Sequence, residues 1–199
     1  LYLFFDEDHY IILSPYQLPF YYLLKAFQDP RYIKVDGKPL FVIYAPFDIP
    51  DVSNVLQLWR NLAKEAGLKG LHFVGVVQGA NNKQGHKESI FRKIQMLNND
   101  NWEYRYDEII ALGFDAVNSR GLFRAEALAV GKLKRLYQAL ISKCLKGNYL
   151  KKIPYPEVVR NLYTETDTRE DVYPTLLPQW DRTPRSGKQA VIYYNNSPE

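Results

Sequence analysis

Apolar and polar positions alternate along this chain in blocks whose period changes, and the changes mark its elements. Residues 1–5, LYLFF, predict a strand, followed by the acidic run Asp6-Glu7-Asp8. Ser14-Pro15 predicts a helix start, with Ser as N-cap and Pro in the first turn; Asp29-Pro30 ends that helix after Phe27. Asp36-Gly37 is a tight-turn signal. Leu40–Tyr44 is a run of five apolar residues, as expected of a strand covered on both faces in a parallel sheet. Ser53–Ala66 has Val55, Trp59, Leu62 and Ala66 on one face at helical spacing, with Ser53 or Asp51 available as cap and Gly67 at the C′ position. Leu71–Val77 is a second continuous apolar strand, so the unit reads as strand, helix, strand.

The second half is less regular. Gln78–Lys87 predicts a polar loop, Ser89–Leu97 a helix, Asn98–Asn101 a turn, Tyr104–Ala111 a helix and Phe114–Val117 a strand. Leu122–Lys146 predicts one long helix with Phe123, Ala127, Val130, Tyr137, Leu140 and Cys144 on a core-facing stripe. Lys132, Arg135 and Lys143 fall on its opposite side and read as a solvated face; docking on a membrane surface or an anionic polymer is the alternative. Residues 154–165 predict a short helix, and Val172–Leu177 and Ala190–Tyr194 two final strands. Strands alternating with helices predict an α/β fold, a parallel sheet or barrel. A whole (β/α)₈ barrel takes about 250 residues, so 199 residues predict one domain over 1–199, an incomplete barrel. The opening Leu and the end at Pro198-Glu199 suggest a piece of a longer chain.

Composition narrows the function classes. Hydrophobic residues make up 46% and charged residues 24%, an ordinary globular balance. A net charge of +4 allows an anionic ligand, but no Lys/Arg run resembles a nucleic-acid arm. The single Cys144 excludes an internal disulfide. No basic segment precedes an apolar run, and residues 1–27 are broken by acids and prolines. Neither a signal peptide nor a membrane-spanning helix is expected, and a cytoplasmic location follows.

The densest chemistry lies between the two final strands. Gln179, Trp180, Asp181, Arg182, Thr183 and Arg185 set one aromatic plane, one carboxylate and two guanidinium groups within seven residues. That set suits a sugar: the indole packs on its C–H face, while Asp181 and Arg185 grip hydroxyls or an attached anion. The structural alternative makes Asp181 a helix cap, Arg185 its ion partner and Trp180 a plug. Pro178 should end the preceding strand, leaving Trp180 and Asp181 beyond a strand's carboxyl end, where α/β folds bind ligands. Tyr44, Gln78 and Asn195, each near the end of a strand-like run, would complete that rim. Other motifs are weaker. Asp6-x-Asp8 looks like a metal-binding DxD pair of the sort that arises by chance. Gly79–Lys87 fails the phosphate-loop spacing, and His9, His72 and His86 lack metal-ligand spacing. No metal site and no cofactor are expected, His72 reads as a core residue, and no carboxylate pair of the glycosidase kind is found.

Several segments together resemble a known family: DPRYIKVDGKPLFVIY over 29–44, LWRNLAKEAGL over 58–68, GFDA over 113–116, WDRTPR over 180–185 and the terminal NSPE. Their order and spacing are similar to the WbsX-like glycosyltransferases, which resemble glycoside hydrolase family 99. The resemblance runs from about residue 14 to the end. It implies a (β/α)₈ barrel of which this chain is the C-terminal part, and glycosyl transfer or hydrolysis on bacterial cell-surface polysaccharide. It also implies that the catalytic Asn-Glu-Trp-x-Glu-Gly stretch lies outside this chain. Trp180, Asp181, Thr183 and Arg185 are then substrate-binding positions; Arg182 stands where the family usually has Asn. A non-catalytic glycan-binding or scaffolding module is the alternative.

Overall fold

The computed structural model describes residues 2–6, 9–77, 102–119, 121–131, 150–177 and 183–195, with Leu133, Tyr137, Gln138, Leu140, Ile141 and Cys144 between them. The loop predicted over Gln78–Lys87, the helix over Ser89–Leu97 and the turn over Asn98–Asn101 lie outside the described residues. The chain divides into two units, Leu1–Asn118 and Ser119–Glu199.

In the first unit β1 (Tyr2–Asp6) pairs antiparallel with β2 (His9–Leu13), so the predicted opening strand is half of a hairpin. Helix α1 (Leu18–Gln28) starts later than Ser14-Pro15 suggests. The Ser14 N–H donates to the Gln17 side chain at 2.9 Å and the Ser14 carbonyl accepts from Gln17 N–H, which makes a turn instead of a cap. Pro19 then fills the first helical turn, where a missing N–H costs nothing.

β3 (Lys34–Val35) and β4 (Lys38–Ile43) form the hairpin expected at Asp36-Gly37. Both turn residues have positive φ, 52° and 78°, the requirement of a type I′ turn. β4, β5 (His72–Val76) and β6 (Ala116–Asn118) are parallel neighbours in that order. Helix α2 (Val52–Glu65) connects β4 to β5, as the sequence period requires, and α3 (Trp102–Ala111) precedes β6. The caps proposed for α2 are not made: Asp51 makes no side-chain cap bond, and Ser53 Oγ donates to the Leu112 carbonyl at 2.9 Å. The C-terminus does follow expectation. Leu68 N–H donates to Ala63 O and Gly67 N–H to Lys64 O, with Gly67 at φ 81°. This is a Schellman closure.

In parallel strands, residues in register share a face. Phe41 and Phe73 are in register, and their ring centroids lie 6.4 Å apart. Trp59 of α2 packs on both, at 5.1 and 6.3 Å, and on Phe20 of α1 at 5.7 Å. Gly75 is forced on the same face, because a Cβ there would stand 2.4 Å from Ile109 Cγ2. The other face carries Val42, Val74 and Ala116 in register, and one step further Val76 and Asn118.

In the second unit β7 (Lys151–Pro154) pairs parallel with β9 (Val191–Tyr194). Helix α4 (Leu122–Val130) and α5 (Tyr155–Arg160) supply Ala125 and Val158 to a core with Ile153, Leu177, Val191 and Tyr193. The Tyr155 hydroxyl donates to the Leu177 carbonyl at 2.6 Å. The predicted strand at 172–177 shrinks to β8 (Val172–Tyr173), because Pro174 cannot donate to a ladder.

The long helix predicted from Leu122 to Lys146 is interrupted. α4 stops at Val130, and Gly131 adopts φ 72°, a left-handed conformation that ends a helix. Helical positions resume at Leu133, but Tyr137, Leu140 and Cys144 are exposed instead of core-facing. The break resets the rotation of the second segment, so a stripe extrapolated through Gly131 lands on the wrong side.

Candidate functional site

The carboxyl edge of the parallel strands in the first unit is built by β4, β5 and β6. Tyr44 follows β4 directly and is one residue beyond the Ile43–Gly75 pair, which sets it level with Val76. Val76 is in register with Asn118. Val76 and Asn118 therefore stand side by side on one face, and Tyr44 follows β4 two strand spacings, about 10 Å, from Asn118. Tyr44 is 60% exposed. Val77 N–H donates to the Asn118 carbonyl at 3.0 Å and closes the edge. Gln78 is the next residue and lies outside the described residues. An exposed phenol and a primary amide at one strand edge can offer a C–H-packing plane and a donor–acceptor pair. Asn118 escapes sequence reasoning because the strand was expected to end at Val117. The available signal was a polar Asn-Ser step after a buried strand.

The second unit holds the remaining sequence candidates. Thr183 and Arg185 lie in a one-turn helix, α6 (Thr183–Ser186), the first half-buried and the second exposed. A tight turn over Gly187–Gln189 leads from α6 into the amino end of β9. Asn195 follows the carboxyl end of β9, exposed and with φ 57°. β9 thus stands in the chain between Arg185 and Asn195. Trp180, Asp181 and Arg182 lie outside the described residues. Among the described residues no group of three or more His, Cys, Asp or Glu side chains could hold a metal ion. Asp8 of the DxD pair falls outside them.

The amino edge of the first unit's strands gives the DPRY, LWRNL and GFDA segments a structural role. Asp115, just before β6, accepts from Arg60 Nη2 and from Phe73 N–H, each at 2.8 Å. Arg60 also donates to the Gly113 carbonyl at 2.8 Å and lies over the Phe73 ring, 5.1 Å from its centroid. The LWRNL and GFDA segments are therefore two halves of one clamp fastening α2 to β5 and β6. In DPRY, Asp29 accepts from Arg31 N–H, Nε and Nη2, and the Tyr32 hydroxyl donates to the Leu40 carbonyl at 3.1 Å. The Arg31 bonds hold the Asp29 carboxyl below its ordinary range. His72 is half-buried on this side. Burial pushes its pKa down, and the negative charge of Asp115 only partly opposes this. These residues hold the frame at the amino edge of the strands.

The family described as Glycosyltransferase WbsX matches residues 7–199. The chain belongs to the WbsX glycosyltransferase family. Two curated relatives, both called uncharacterized protein WxcX, come from two strains of Xanthomonas campestris pv. campestris. They are 23% and 22% identical to this WbsX-family chain over 177 residues, which is 89% of it. The chain spans about a fifth of their length, 21% in each case. No solved structure matches it significantly. Among the described residues no helix is long and apolar enough to cross a membrane.

Proposed function

We propose that this domain binds sugar units of bacterial cell-surface polysaccharide and serves glycosyl transfer or glycoside hydrolysis in the complete protein. The family match over residues 7–199 carries this reading. The parallel ladders β4–β5–β6 and β7–β9 are the pairing from which a (β/α)₈ barrel is assembled, and that is the architecture we propose for the complete domain. Trp180 stacks on the C–H face of a sugar. Asp181 accepts from its hydroxyls, and Arg185 neutralises an acidic substituent or Asp181 itself. Thr183 and Asn195 add hydroxyl and amide contacts. Tyr44, Gln78 and Asn118 form a subsite at the carboxyl edge of the first unit, supported by the level placement of Tyr44 and Asn118. The carboxylates that cleave or form the glycosidic bond lie outside this chain.

The test is binding of the chain to an array of bacterial surface polysaccharides. Trp180→Ala should weaken the positive signals at least about tenfold, equivalent to about 1.4 kcal/mol. Tyr44→Ala and Asn118→Ala should each cost roughly 2- to 10-fold, the range of one lost net hydrogen bond or ring contact. Full binding by a folded Trp180→Ala variant would take Trp180 out of the site.

A further inference from the structure

We propose that, resting on the reading of this domain as a sugar binder, the face of the β7–β9 ladder turned away from its core selects sugars that carry an acidic group, with Lys152 contacting the acid. Ile153, Val191 and Tyr193 are buried in the core of the second unit. Side chains alternate along a strand, so Lys152, Pro154, Ile192 and Tyr194 share the opposite face. Register sets Lys152 beside Ile192 and Pro154 beside Tyr194. Lys152 and Tyr194 therefore stand diagonally across the pair, with Cα atoms about 8 Å apart. Lys152 is exposed, Tyr194 is 42% exposed, and Ile192 and Pro154 are half-buried. Asn195 follows Tyr194 directly and is exposed, with φ 57°.

Charge identifies the occupant. An apolar layer packed over this face would strip water from the Lys152 ammonium without supplying a counter-charge, which is strongly unfavourable. The ion pairs among the described residues are all made by arginines, and Lys152 takes part in none of them. Water alone would suit the ammonium but not the phenol ring, Ile192 and Pro154 around it. A sugar with an anionic substituent suits both. Its C–H face packs on the Tyr194 ring, and its carboxylate or phosphate accepts charge-assisted bonds from Lys152 Nζ. Asn195, already a proposed sugar contact, borders the same face at the carboxyl end of β9 and adds an amide to it.

Titration of the 199-residue chain with methyl glucoside, methyl glucuronide and glucose 6-phosphate tests this, read by ligand-observed NMR. At least one acidic sugar should bind about tenfold or more tightly than the neutral one, the range of a hydrogen bond to a charged group. Whichever does so identifies the acid as carboxylate or phosphate. Lys152→Gln should bring that ratio close to one. Lys151→Gln removes the same charge from a neighbouring exposed lysine on the other side of the strand, and it should keep the wild-type ratio. Both variants should keep the wild-type thermal transition, because both side chains are exposed. Equal binding of all three sugars, an unchanged ratio in Lys152→Gln, or an equal loss in Lys151→Gln would overturn the proposal and leave the sugar-binding reading standing. Failure to bind any of the three by a chain that is positive on the polysaccharide array would do the same. Failure on both would overturn the sugar-binding reading as well.

Discussion

Asp167→Ala is expected to destabilise the second unit by about 3–5 kcal/mol, the cost of removing one partner from a buried ion pair. The Asp167 side chain is fully buried, and Arg124 is only 7% exposed. Asp167 Oδ2 accepts from Arg124 Nη2 at 2.7 Å, Thr164 N–H at 2.8 Å and Thr164 Oγ1 at 3.1 Å. Arg124 also donates to the Leu162 carbonyl at 3.2 Å. The pair therefore ties α4 to the helical turn at Glu165–Thr168 through a capping box. Without Asp167 the guanidinium stays buried with no counter-charge. Urea denaturation at pH 7 should show the midpoint falling by at least about 1 M, given slopes of about 1–3 kcal/mol per molar.

The same carboxylate predicts a pH dependence. Burial alone would raise its pKa, but the bonds from Arg124, Thr164 and Ser119 and the charge of Arg124 bring it below the ordinary value. Arg169 lowers Asp171 in the same direction through its side-chain bonds. A folded pKa below the unfolded value, about 3.9, gives stability that is complete above that value and lost as pH falls through the folded one. Wild-type stability should be flat in these groups above about pH 5 and drop below about pH 4. Asp167→Ala should lack its share of that drop.

Trp59→Ala is expected to cost the first unit about 3–5 kcal/mol, the range for truncating a buried Trp. Its ring joins α1 to the sheet through Phe20, Phe41 and Phe73, and its Nε1–H donates to the Tyr16 carbonyl at 2.7 Å. Trp59→Phe should recover most of the loss but not the hydrogen bond. Hydrogen exchange of β4 and β5 amides measures both variants. Protection should fall strongly in the Ala variant and little in the Phe variant.

Local chemistry was legible in the sequence, and chemistry that depends on distant pairing was not. Asp36-Gly37 and Gly67 act through their own backbone angles, so their turn and helix end could be read directly. The apolar runs at 40–44 and 71–77 announced the parallel strands, but only β5 is buried on both faces; Val42 of β4 is 49% exposed, so its run did not mark a strand covered on both sides. β7 was missed because Lys151-Lys152-Ile153-Pro154 carries one apolar residue between lysines and a proline. The Gly131 break was missed because a lone glycine inside a helical pattern is often tolerated. Arg60 and Asp115 are 55 residues apart, and no local period links them. The candidate rim was half legible. Tyr44 sits at a strand end as expected, whereas Asn118 becomes a neighbour only through strand register.

The proposed sugar subsite lies at the carboxyl edge of β4, β5 and β6. The most direct measurement is a titration of the ¹⁵N-labelled chain with neutral and acidic methyl glycosides, read as amide chemical shifts. Saturable shifts are expected at Tyr44, Val77 and Asn118, with Asp36, Gly37 and Asp115 at the opposite edge unmoved. Shifts confined to that opposite edge, or none at Tyr44 and Asn118 with any glycoside, would contradict it.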